Sequence, residues 1–164
     1  MVFLILLTSG LRVGEVLKLR ESDIDFETNM IDASGIHKGD TKSAWISYIT
    51  YQTADYLQSY KNLEIDSSDN PKLFDMSYNT IQEAFQKVSF QTGIFIKPHF
   101  LRTSFTEKCT QAGIEGKYID AFCGRIPKKV LEANYTVYSP QSLSNQYQKV
   151  EEFLILPFSE DEES

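Results

Sequence analysis

Glycine and proline cut this chain of 164 residues into pieces of helix length, and that punctuation limits the fold more than any other feature. Pro98 is the sharpest mark, because its ring holds the preceding Lys97 extended while its own fixed φ suits the first turn of a helix. The spacing predicts a helix from Pro98 through Leu101, Phe105 and Cys109 towards Gly113, which ends it. Ser9-Gly10-Leu11 separates two more helical pieces, Met1 to Thr8 and Val13 to Leu19, so Arg12 stands at a helix start. Helical spacing returns over Thr53 to Leu63, over Asn79 to Thr92 with Ile81, Phe85 and Val88, over Tyr118 to Phe122, from Pro127 to Asn134, and over residues 143–155. Two runs have strand composition, Met30 to Ile36 and Ala44 to Thr50; with Gly39-Asp40 between them they predict a hairpin carrying Lys38 and Lys42.

A chain of this length can bury one sizeable core, so a single domain is expected. The apolar run from Met1 to Leu7 has no basic leader or cleavage site and is too short to span a bilayer, so it reads as a buried helix and no membrane partner is expected. Starting a chain inside such a helix points to a fragment of a longer protein. Cys109 and Cys123 lack metal-ligand spacing, and with only His37 and His99 to assist them no metal site is expected. Both read as small buried hydrophobes, which suits a reducing cytoplasm.

The net charge of −7 argues against a nucleic-acid partner only until its location is read. Of 23 acids, six lie beyond residue 150 with no base among them, which leaves 16 bases against 17 acids in residues 1–150. Residues 159–164 form an acidic tail too polar to fold alone. Lys97 to Lys129 holds seven bases and three acids, a local concentration of positive charge. Within it, His99 and Arg102 sit three apart on one face of a helix's first turn, where the backbone dipole also attracts anions. Such a pair suits a phosphate.

Thr8-Ser9-Gly10-Leu11-Arg12-Val13-Gly14-Glu15 with Leu19 resembles the TGLR-x-x-E-x-x-x-L signature of the tyrosine recombinases, or phage-type integrases. Pro98-His99-Phe100-Leu101-Arg102-Thr103-Ser104-Phe105 is similar to that family's H-x-L-R-H-T-F block and keeps its H-x-x-R spacing. Gln111-Ala112-Gly113-Ile114 and Phe122-Cys123-Gly124-Arg125 resemble its AGI and L-G-H elements, and Tyr135 follows ten positions after Arg125. The resemblance covers roughly residues 3–140. Arginine at 125 departs from the usual histidine or tryptophan, and the run from Arg125 to Ser139 looks closest to integrases of archaeal viruses and plasmids.

The resemblance implies a mainly α fold with a small antiparallel β-sheet, a catalytic domain over residues 1–140 lacking the N-terminal DNA-binding domain, and a C-terminal helix over 141–158 that could dock onto another protomer. It implies Arg12 and Arg102, assisted by Arg125, as the clamp on a scissile phosphate, His99 as acid or base, Lys38 or Lys42 as a further proton donor, and Tyr135 as nucleophile. Lys38, in a Lys-Gly pair, fits the family's turn somewhat better than Lys42. Tyr138 is the rival nucleophile, thirteen positions after Arg125 where the family spacing is about nine or ten. Glu15 fits a supporting role, orienting a basic side chain.

The chemistry is coherent. A phenol attacking a phosphodiester builds charge on the non-bridging oxygens, which two guanidinium forks meet with paired hydrogen bonds, so no metal, ATP or other cofactor is called for. The implied partners are double-stranded DNA, bound weakly and with low specificity by this part alone, and further copies of the chain, four on two duplexes. The competing reading is an inactive DNA-binding or assembly module descended from a recombinase. Retention of Arg12, Arg102 and Tyr135 together weighs against it.

Overall fold

The computed structural model describes residues 1–36, 43–63 and 70–157, with the side chains of residues 62 and 63 left out of the description. The elements run α1 (Val2–Ser9), α2 (Val13–Val16), a 3-10 turn (Glu21–Asp23), β1 (Ile24–Asp25), β2 (Met30–Asp32), β3 (Ile46–Tyr48), α3 (Tyr51–Leu63), α4 (Tyr78–Thr92), α5 (Pro98–Gln111), α6 (Gly116–Phe122), α7 (Lys128–Ala133) and α8 (Pro140–Leu154). The fold is mainly helical with one small antiparallel sheet of order β1-β2-β3, in which Ile24 faces Ile31 and Met30 faces Tyr48.

The helices form where the punctuation places them, within a few residues. The strands are shorter than their composition predicts, for a local reason. The Asp32 carboxylate accepts the Ser34 N–H at 3.0 Å and the Ser34 hydroxyl at 2.6 Å, an Asx turn that ends the pairing once the Ala33 N–H has donated to the Trp45 carbonyl at 3.1 Å. A similar device at Asp25, which accepts from Glu27 N–H and Thr28 Oγ1, with Asn29 in a left-handed conformation, turns β1 into β2. β1 itself, two residues long, is too short to show an alternating pattern.

Two apolar clusters meet along α1 and α5. One gathers Ile5, Leu6, Leu11 and Val16 with Ile31, Leu57, Phe74 and Phe85; the other gathers Phe105, Cys109 and Phe122 with Leu131, Leu143, Tyr147 and Val150. Gly10 is where they touch. Its φ of 71° closes α1, and a Cβ there would lie 2.5 Å from the Phe105 ring, so glycine alone lets the turn rest on α5. Gly10→Ala should therefore lower stability by on the order of 2–4 kcal/mol through backbone strain and overpacking, read from the urea midpoint.

The helix that the sequence marks for docking onto a neighbour is packed within its own protomer. Leu143, Tyr147, Val150 and Leu154 are buried at spacings of four, three and four along α8. The Tyr147 hydroxyl donates to the Thr8 carbonyl at 2.7 Å, and burial raises its phenol well above the ordinary range. Beyond the helix, Gln52 exchanges two hydrogen bonds with the Leu156 backbone. On the outer face of the helix Phe153 stays exposed.

Candidate active site

The first turn of α5, the start of α2 and one face of α4 enclose a cavity of about 1220 Å³. Arg12 and Val13 line it from α2, His99 and Arg102 from α5, and Arg125 from the turn after α6. These residues come from points far apart in sequence, and the backbone turn at 123–124 joins them. Arg102 Nη2 donates to the Cys123 carbonyl at 2.6 Å, and both terminal nitrogens of Arg12 donate to the Gly124 carbonyl at 3.3 Å. Gly124 has a φ of 56°, and a Cβ would meet the Ser43 carbonyl at 2.9 Å. The anchor for both arginines is therefore pressed against the described end of the segment that follows Lys42.

Arg12 is held from its other side by Glu15. One carboxylate oxygen accepts the Arg12 backbone N–H at 2.7 Å and the other accepts Nη1 at 2.8 Å, with Glu15 only 2% exposed. A buried carboxylate needs such partners, and in meeting them it fixes the guanidinium direction. Arg102 is 6% exposed, yet its Nη1 has no hydrogen-bond partner. Burial pushes its pKa down, and the neighbouring Arg12 and Arg125 act in the same direction, partly offset by Cys123 and Glu15. An arginine stays protonated regardless, so the fold holds a desolvated cation with a donor to spare. Arg125 is tethered to Asp120 at 3.0 Å. No carboxylate lines the cavity among the described residues.

The structure thus brings Arg12, His99, Arg102 and Arg125 together. Tyr135 is not among the residues lining the cavity; it stands 55% exposed in the turn after α7. Tyr138 is buried, its ring packed edge-on against Tyr118 and its carbonyl accepting from Trp45 Nε1 at 3.0 Å. Lys38 and Lys42 lie outside the described residues. Cys109 and Cys123 are buried free thiols, both raised above their ordinary pKa by desolvation. Among the described residues no cluster of His, Cys, Asp and Glu could hold a metal, and no helix is long and apolar enough to cross a membrane.

Sequence reasoning missed the α4 wall of this cavity, formed by Tyr78, Gln82, Gln86, Ser89 and Phe90. Tyr78, Gln82 and Gln86 recur every four residues, a stripe readable as one helix face. The cavity's other omitted residue of note is Lys97, whose Nζ lies 4.8 Å over the Phe95 ring.

The mainly helical domain thus sets two arginines on one backbone turn, in the same cavity as a histidine. The chain belongs to the phage integrase family, whose model matches residues 1–136. It is 30% identical over 146 residues to tyrosine recombinase XerA of Saccharolobus solfataricus, covering 88% of this chain and 47% of that protein. It is 29% identical over 156 residues to tyrosine recombinase XerC of Chlamydia caviae, with the same coverage of 88% and 47%. The chain spans about half the length of these relatives. Among solved structures, a crystal structure of XerA recombinase shares 26% identity at a TM-score of 0.64, over 84% of this chain and 56% of that one. The Tn1549 transposon integrase in complex with transposon right end DNA shares the fold, with 18% identity and a TM-score of 0.57, over 90% of this chain and 57% of that one.

Proposed function

We propose that the chain is the catalytic domain of a site-specific DNA recombinase that cuts and rejoins strands through a covalent 3′-phosphotyrosine bond. The observation that carries this reading is the arginine pair on the Cys123-Gly124 carbonyls, with Arg102 Nη1 buried and left without a partner. A donor in that state is expensive unless an anion completes it. On this reading Arg12 and Arg102 hold the non-bridging oxygens of a DNA phosphate, with Arg125 at the rim. The Tyr135 phenol gives its proton to a base such as neutral His99 as its oxygen attacks phosphorus, a P–O(Tyr) bond forms, and the bond to the 5′ oxygen breaks. That oxygen takes a proton from His99 or from Lys38 or Lys42. A 5′-hydroxyl of a partner strand then attacks the phosphotyrosine and releases the phenol. One ester replaces another at each step, so no ATP is consumed, and the guanidinium groups carry the charge neutralisation that a metal supplies elsewhere.

Tyr135 must come to the phosphate, and the local packing supports that movement. From Glu132 to Val137 no side chain is buried, whereas Leu131 and Tyr138 on either side are held in the core. Such a segment opens without disrupting the rest of the fold. Amide exchange over residues 132–137 is therefore expected to be faster than over α5 and to slow when DNA is bound; equal protection of both in the free protein would exclude this route.

Recombination further implies duplex DNA as partner and several copies assembled on it. The test is a suicide duplex incubated with the protein in EDTA, followed by a denaturing gel. A shifted covalent species supports the enzyme, whereas DNA binding without any adduct would leave a non-catalytic module.

A further inference from the structure

Beyond the arginines, the cavity has a second half that phosphate chemistry leaves unused. Phe90, at the end of α4, is 90% exposed, and Phe95, in the connection to α5, is 75% exposed, yet both line the same cavity as Arg12 and Arg102. Gln82 and Gln86 line the wall between, without hydrogen-bond partners among the described residues. The space, about 1220 Å³, is larger than one phosphate needs and reaches the size of pockets that enclose whole organic ligands.

We propose that Phe90 and Phe95 form an aromatic lip that takes up a nucleobase unstacked from the strand whose phosphate the arginines hold, with Gln82 and Gln86 at the base's edge. The inference rests on the phosphate-binding reading above. Four observations favour a nucleic acid strand over a protein. Arg12, Lys97, Arg102 and Arg125 line the cavity with no carboxylate among the described residues. Aromatic faces accept any base by stacking. Unpartnered amides match the donor and acceptor pattern of base edges. Lys97, seated over Phe95, adds a cation at the mouth, where the next phosphate along the strand would pass.

The test uses the whole chain at low salt with short oligonucleotides containing 2-aminopurine, single-stranded and duplex. Both rings are exposed, so Phe90→Ala and Phe95→Ala keep the fold, which circular dichroism checks. Ile94 is also exposed, at 61%, but does not line the cavity, and Ile94→Ala serves as the comparison. The expected result is single-strand binding accompanied by a change in 2-aminopurine emission. Each phenylalanine substitution should weaken it about tenfold and abolish the emission change, while Ile94→Ala leaves both intact. If Arg102→Met weakens binding but the phenylalanine variants bind and fluoresce as wild type, the lip is overturned and the phosphate reading stands. If wild type binds neither form, both fall. If the phenylalanine variants alter sedimentation and not DNA binding, the rings are a contact between copies and the inference is overturned.

Discussion

Tyr135→Phe should abolish the covalent DNA adduct, a loss of at least about four orders of magnitude, while leaving the protein folded and able to bind DNA. The substitution removes one oxygen from a ring that is already exposed, so stability should change by less than about 0.5 kcal/mol. On the proposed mechanism, what it removes is the atom that forms the bond to phosphorus. Tyr138→Phe is the informative partner, because Tyr138 is the other tyrosine near the family spacing and its ring lies in the core. Its adduct should form at the wild-type level. An adduct that survives Tyr135→Phe and disappears in Tyr138→Phe would transfer the nucleophile and require the turn around 138 to unpack.

Arg102→Met should cut adduct formation by about a hundred- to a thousandfold and leave the thermal midpoint within about 3 °C of wild type. The first half follows from losing a preorganised donor where charge develops. The second follows from the burial of Arg102. A desolvated guanidinium with one nitrogen unpaired contributes little to folding, and a methionine keeps the packing of the aliphatic stem. Against that stands the Cys123 carbonyl, which loses its 2.6 Å donor and costs roughly 1–3 kcal/mol if it finds no other. The two effects oppose and nearly cancel. Adduct assays on a suicide duplex and a melting curve together check the prediction. A collapse of stability would mean that Arg102 serves the fold, and an unchanged rate that it does not serve the chemistry.

Much of this was legible in the sequence because glycine and proline carry positional meaning. Gly10 announced the turn that puts Arg12 at a helix start, and Pro98 announced the helix that puts His99 and Arg102 on one face. Glu15 was readable as a support for a base, three residues after Arg12. Other features left no such mark. The carbonyls that hold the arginines are backbone atoms, and only the glycine at 124 hints at them. The shortness of β2 depends on one aspartate side chain bonding two residues on, a choice that composition cannot register. Val88 has helical spacing with Ile81 and Phe85, which are buried, yet Val88 itself is exposed, and the spacing alone does not mark where along the helix the buried face ends. The position of Tyr135 along the chain was readable, but its place outside the cavity depends on how the turn after α7 leaves the helix, and chain spacing does not encode that.

The Cys123-Gly124 turn couples the two arginines to each other. The two carbonyls belong to residues one Cα step apart, about 3.8 Å, and each fixes one guanidinium. Both guanidinium groups thus depend on one peptide unit for an acceptor, Arg12 with Glu15 as a second hold. Because one turn anchors both, any displacement of it misaligns the two clamps together, and the pair fails as a unit.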